Sequence, residues 1–225
     1  MTPALLAALT ALREAKEPVV VATRLPGGEQ MLLPAPEAPE ALNVAAQRAL
    51  DRDESGTVNL EGVDWFLHAY NPKYRMIIVG AVHIAQALVP MAAQMGLDVV
   101  VVDPRRSFAT DERFPNVQIM TDWPDEALDA LAPDARTAII TLTHDPKLDD
   151  PALDRALRSK AFYIGALGSR RTHARRLDRL RELGHDDAAM ARIKGPVGLN
   201  IAAVTAPEIA VSILAEFVAK RRNAA

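Results

Sequence analysis

Four short segments of the chain hold the residue types from which a binding site is built. The first, Gly80-Ala81-Val82-His83-Ile84-Ala85, follows the apolar run MIIV and opens a helical pattern, with Asp103 closing the next apolar run. That order nearly matches a dinucleotide-binding fingerprint. Gly80 permits the tight turn, Ala85 is small enough for the third position, and Asp103 stands where a ribose hydroxyl would be bound. Val82 departs from the pattern, which places glycine there so that the backbone can approach a pyrophosphate. The helix N-terminus formed by Ala81, Val82 and His83 still favours an anion. After Asp103-Pro104, Arg105 and Arg106 could accommodate a 2′-phosphate or another anion, or could be solvated loop residues.

The second segment, Thr143-His144-Asp145-Pro146-Lys147-Leu148-Asp149-Asp150, directly follows the run AIITL. Ligands of open α/β sheets sit outside the carboxyl ends of the strands, which is where this cluster falls. His144 beside Asp145 could do acid–base work or ligate a metal, because imidazole titrates near neutrality. The plainer expectation is that Asp149 or Asp150 caps a helix with Pro151 at its first position.

The third, Gly165-Ala166-Leu167-Gly168-Ser169-Arg170-Arg171-Thr172-His173, combines two glycines, a serine at a cap position and adjacent arginines. It predicts a second anion-binding helix N-terminus, with Ser169, Arg170 and His173 as functional candidates. Arg175 and Arg179 are expected on a solvated face opposite packed Ala174, Leu177 and Leu180. In the fourth, Gly195-Pro196-Val197-Gly198-Leu199-Asn200-Ile201, Gly198 either lets the backbone approach a ligand or only shapes a turn. No complete catalytic constellation is visible, so no catalytic residue and no metal-ligand set is assigned.

The elements that must position these segments are legible from periodicity. The N-terminal MTPALLAALTALREAKE repeats Leu5, Leu9 and Leu12 at helical spacing, with no basic residue before its apolar run. It therefore reads as a mature helix and not a signal peptide, and the cytoplasm is the expected compartment. PVVVATRL and EQMLLP read as a hairpin turning at Pro26-Gly27-Gly28, ALNVAAQRAL as a helix with Leu42, Ala46 and Leu50 on one face, and TVNLEGVDWFLHAY as extended chain. Residues 1–71 thus form a small α/β N-terminal module, and 72–225 a second domain, joined at Asn71-Pro72-Lys73. From Tyr74 onward, continuous Val/Ile runs alternate with helical segments, which predicts parallel strands buried on both faces in a Rossmann-like doubly wound parallel sheet. Thr205 and Glu208 have capping-box spacing ahead of a final helix with Ile209, Ile213 and Phe217 along one side.

Composition excludes several function classes. Lys plus Arg numbers 26 against 29 for Asp plus Glu, a net charge of −3, so bulk electrostatics does not recruit nucleic acid. There is no cysteine, which removes disulfides, cysteine-ligated zinc, iron–sulfur clusters and thiol nucleophiles. Charged or Pro/Gly residues interrupt every apolar stretch before it reaches the roughly 18 residues needed to span a bilayer.

Taken in order, GAVHIAQAL, LTHDPKLDDPAL, GALGSRRTHARRL and PVGLNIAAVTAPEIAVSILAE closely resemble the Rossmann-type domain of the xanthine dehydrogenase accessory protein (XdhC/CoxI) family over about residues 75–222. The resemblance implies a maturation factor that binds molybdenum cofactor, protects it and helps deliver it to a molybdenum hydroxylase of the xanthine or carbon monoxide dehydrogenase type. It also implies a homodimer. The family's G-x-G-H loop is Gly80-Ala81-Val82-His83 here, the second histidine of its T-H-D-H-K block is Pro146, and its G-L-D segment is Gly198-Leu199-Asn200. Its N-terminal cysteine-containing segments have no counterpart in the first 70 residues, so thiolate contact with the cofactor is not expected. The competing expectations are an NAD(P)-dependent oxidoreductase, motivated by Gly80 and Asp103, and a ligand-free scaffold for a partner enzyme.

Overall fold

The computed structural model describes residues 1–222; the last three residues of the second expected domain lie outside the described residues. The chain divides into the units Met1–Pro72 and Lys73–Ala225.

The first unit runs α1 (Pro3–Glu14), β1 (Val19–Leu25), β2 (Gln30–Leu33), α2 (Glu40–Arg52), β3 (Gly56–Leu60) and β4 (Val63–Tyr70). Its strands form one antiparallel sheet in the order β2-β1-β4-β3. The unbroken apolar start of β1 has a direct cause. Val20 and Ala22 pack with Leu42, Ala46 and Leu50 of α2, while Val19 and Val21, on the other face, pack with Leu9 of α1. The expected extended stretch after residue 56 is a hairpin that turns at Glu61-Gly62, both at positive φ.

The second unit runs β5 (Arg75–Val79), α3 (His83–Gln94), β6 (Asp98–Val102), β7 (Gln118–Met120), α4 (Pro124–Leu131), β8 (Thr137–Thr141), α5 (Pro146–Arg158), β9 (Tyr163–Ala166), α6 (Arg170–Glu182), α7 (Asp187–Met190), β10 (Ile193–Lys194) and α8 (Ala206–Arg221). The six strands are all parallel, in the order β10-β9-β8-β5-β6-β7. Ile78, Val101 and Ile140 pack with Leu88 of α3 and with Ile213 and Phe217 of α8 on one face. Ile77, Val100 and Ile139 pack with Leu128 of α4, Leu153 of α5 and Leu180 of α6 on the other. Helices on both faces are why these strands read as continuous apolar runs. After β7 the chain crosses back to start β8 on the opposite side of β5, which makes the carboxyl edge at β5 and β8 the topological switch point, where sheets of this kind carry their ligand crevice. The capping box of α8 is formed as expected: Thr205 Oγ1 accepts from the Glu208 N–H, and the Glu208 carboxylate accepts from the Thr205 N–H.

Two local expectations are corrected. The N-cap of α5 is Asp145, which accepts from the Lys147 N–H at 3.0 Å with Pro146 at the first helical position, and neither Asp149 nor Asp150 caps it. Those two carboxylates lie one turn inside the helix and are claimed by other elements. Asp149 accepts from the Thr143 hydroxyl at 2.6 Å, and Asp150 accepts from Arg179 Nη2 at 2.9 Å. Consequently Arg179 is half-buried in an ion pair and not part of a solvated face, whereas Arg175 is exposed. Ala174, expected in the core, is exposed, because α6 turns Arg176 and Leu180 inward.

Candidate functional site

The loop leaving β5 is built to bring two strand ends together. Gly80 has φ +113, a region that strains any residue with a Cβ, and a Cβ there would stand 2.6 Å from the Thr143 side chain. The loops after β5 and β8 therefore touch at the topological switch. The next residue is fully committed: the Ala81 N–H donates to Asp103 Oδ2 at 2.8 Å, and its carbonyl accepts from Arg113 Nη1 at 2.9 Å. Val82 is the N-cap of α3 without a side-chain hydrogen bond, and His83 is exposed.

Asp103 is fully buried, and Arg105 wraps around it. The Arg105 N–H and Nε donate to Oδ1 at 3.0 and 2.9 Å, and Nη2 donates to Oδ2 at 2.8 Å. The guanidinium lies 4.6 Å from the Phe108 ring centre and feels the carboxylates of Asp145 and Asp149 across the crevice. Burial pushes the Asp103 carboxyl up, but the bonds from Arg105 and Ala81 outweigh it and hold it below the usual carboxylate range. A carboxylate has about four lone-pair sites, and here four donors fill them. The residue expected to read a ribose is thus occupied by its own loop. Val82→Gly is accordingly expected to create no NADH binding, since removing the isopropyl group leaves Asp103 saturated. A saturable NADH fluorescence change in that variant would show that Val82 was the barrier.

The loop after β8 sorts its polar groups by direction. Thr143 donates inward to Asp149, and the Asp145 N–H donates to Thr143 Oγ1 at 3.1 Å, so both residues shape the turn. His144, between them, is exposed at φ +61, an uncommon conformation for a residue other than glycine. Its Nδ1 lies 3.8 Å from where a Cβ on Gly168 would be, which brings the β8 and β9 loops together.

After β9, Gly168 at φ +145 leads to Ser169, whose Oγ accepts from the Thr172 N–H at 3.1 Å as the N-cap of α6. Arg170 is exposed at the first helical position. Behind them lies Arg176, only 2% exposed, which donates from Nη2 to the Leu167 carbonyl at 2.9 Å and to Asp149 Oδ2 at 3.3 Å. Its Nε and Nη1 are buried with no hydrogen-bond partner. Burial pushes the Asp149 carboxyl up, with the Thr143 hydrogen bond and the charge of Arg176 opposing it less strongly.

Three further residues among the expected site residues are engaged within the fold. The His173 ring packs against Gly195, where a Cβ would stand 2.2 Å from Nδ1, and burial followed by the charge of Arg176 pushes its pKa down, favouring neutral imidazole. Gly165 is buried within β9, where a Cβ would strike Val197. The Gly198 N–H donates to Glu216 Oε2 at 2.9 Å, the same oxygen that accepts the Tyr163 hydroxyl at 2.5 Å. These residues are structural supports, as is buried Gly80, while His144, Ser169 and Arg170 are exposed at the carboxyl edge of the sheet, with Gly168 between the β8 and β9 loops. Sequence reasoning missed Arg176 and Arg113. The one available signal was the helical spacing of Arg176 from buried Leu180, which puts an arginine on an apolar face.

No group of three or more His, Asp or Glu able to hold a metal occurs among the described residues. None of the described helices is long and apolar enough to cross a membrane.

A family model described as the XdhC Rossmann domain matches residues 76–217. The chain is 36% identical over 163 residues to the molybdenum cofactor insertion chaperone PaoD of Escherichia coli strain K12, covering 72% of this chain and 44% of that protein. It is 32% identical over 161 residues to a probable xanthine dehydrogenase subunit of Bacillus subtilis strain 168, covering 71% of this chain and 47% of that protein. The chain spans less than half the length of the curated relatives it matches. A crystal structure described as a xanthine dehydrogenase from Bacillus halodurans is similar with a TM-score of 0.72 at 26% identity, covering 97% of this chain and 65% of that one.

Proposed function

Because the chain belongs to the XdhC Rossmann-domain family, we propose that it is a maturation factor that binds molybdenum cofactor at the carboxyl edge of its parallel sheet and assists insertion into a xanthine-dehydrogenase-type molybdenum hydroxylase. The chaperone name carried by the PaoD relative supports the cofactor, and the name of the Bacillus subtilis relative supports the recipient class. Recipients of the carbon monoxide dehydrogenase type fall within the same proposal.

The observation that carries the reading is the meeting of His144 with Gly168-Ser169-Arg170 beside the β5 turn, with the underpartnered Arg176 behind. Molybdenum cofactor is an anionic, phosphorylated pterin dithiolene, and when bound it supplies the molybdenum centre that the recipient enzyme uses. The residues fit its phosphate: backbone N–H groups at the start of a 13-residue helix, the Arg170 guanidinium and an imidazole stand at the mouth. With no cysteine, this chain itself offers no thiolate to the metal. Its own residues bind and orient the phosphate end and leave the dithiolene free for transfer.

The test is an anaerobic equilibrium titration with molybdenum cofactor beside NADH and NADPH, followed by transfer to apo xanthine dehydrogenase. Selective pterin binding that weakens at least tenfold in a His144→Ala/Arg170→Ala double variant is expected. Selective dinucleotide binding would overturn the proposal.

A further inference from the structure

The two helical layers of the Rossmann unit differ in what they show to solvent. The layer of α4, α5 and α6 is laced with charge, and α6 alone exposes Arg171, Arg175, Asp178 and Arg181. The layer of α3 and α8 is not. No Asp, Glu, Lys or Arg occurs from Met76 to Leu97, a stretch that includes all of α3. Between Glu208 and Lys220 the one charged residue is Glu216, which is turned aside to accept from Tyr163 and Gly198. Helix α8 buries Ala210, Ile213, Leu214 and Phe217 in the core, yet its outward side carries Val211, Ala215 and Val218 at spacings of four and three residues. Val211 and Val218 are 49% and 37% exposed. Leu199, also exposed, lies beside them, because the Ser212 hydroxyl donates to its carbonyl at 2.8 Å. A helix that is apolar on both sides belongs inside an assembly, and an exposed apolar patch marks a contact surface.

The order of residues along that outward side specifies what covers it. Glu208, Val211, Ala215, Val218 and the C-cap Arg222 read acidic, apolar, small, apolar, basic. Reversed about Ala215, the pattern is complementary to itself, since Glu208 and Arg222 each stand seven residues from that alanine, and Val211 and Val218 four and three. An antiparallel copy therefore sets apolar against apolar in the middle and carboxylate against guanidinium at both ends. It also brings the positive start of each α8 to the negative end of the other. We infer that a second copy of this chain docks on the outward side of α8 about a two-fold axis beside Ala215, with Val211 of each copy against Val218 of the other and Glu208 against Arg222. The interface is independent of the cofactor reading.

Sedimentation equilibrium and cysteine crosslinking of the full chain test it. The wild type is expected to sediment as a dimer, and Val211→Glu/Val218→Glu to associate at least tenfold more weakly while keeping the wild-type far-UV circular dichroism. Because the chain has no cysteine, Ala215→Cys places a single thiol on the axis. Mild oxidation should link that variant into a disulfide-bonded dimer, whereas Ala174→Cys, exposed on α6 in the other layer, should stay unlinked. This arm keeps both valines, so it decides the matter even if the two glutamates prevent folding. A monomeric wild type, a dimer indifferent to the glutamates, or crosslinking of Ala215→Cys no faster than that of Ala174→Cys would overturn the interface.

Discussion

Arg176→Met is expected to destabilise the Rossmann unit by about 3–5 kcal/mol near neutral pH, because it leaves the Asp149 carboxylate buried with no cationic partner. The size follows from burial: both side chains are 2% exposed, so water cannot replace the lost ion pair. The pH dependence has a definite sign. Burial raises the Asp149 pKa in the folded state above its unfolded value, and removing Arg176 raises it further. Between those two values the native state holds the extra proton, so stability falls as pH rises through the folded pKa and recovers as pH is lowered. Denaturant unfolding of Arg176→Met from pH 7 down to pH 4 should therefore show the deficit shrinking with acidification. Arg176→Met/Asp149→Asn should lose that pH dependence and regain part of the stability. A deficit that does not change with pH would mean that packing, and not the uncompensated carboxylate, is the cause.

Gly80→Ala should cost about 2–6 kcal/mol, combining backbone strain at φ +113 with overpacking against Thr143. Gly27, in the β1–β2 turn, provides the comparison. It too has positive φ, but a Cβ there meets nothing within 4 Å, so Gly27→Ala registers the conformational cost without the collision. Thr143→Ser in the Gly80→Ala background removes the colliding methyl and keeps the hydroxyl for Asp149, and should recover part of the loss in urea unfolding. If Gly80→Ala proves no worse than Gly27→Ala, the close approach of the β5 and β8 loops is not a stability constraint.

Much of the architecture was legible because it rests on local repetition. Continuous apolar runs such as MIIV and VVVV mark strands covered on both faces, and Thr205 with Glu208 announces a helix start through contacts three residues apart. The candidate loops were also found in sequence, since Gly80 and Gly168 occupy turns that need positive φ. The placement of the α5 start failed for an equally physical reason. Asp145, Asp149 and Asp150 are all competent caps by type, and the choice fell to Asp145 because the other two are bound by Thr143, Arg176 and Arg179 from outside the helix.

By itself, then, the sequence determined the parallel doubly wound sheet and the family resemblance, since each depends on patterns within a few residues or on ordered motifs. Only the tertiary structure decided which polar groups face the crevice. Asp103 binds Ala81 across 22 positions and Asp149 binds Arg176 across 27, and no local spacing encodes such partners. Those pairings turn the expected ribose reader inward and leave His144, Ser169 and Arg170 at the mouth, because a buried charge must find its partner wherever the fold brings one within reach.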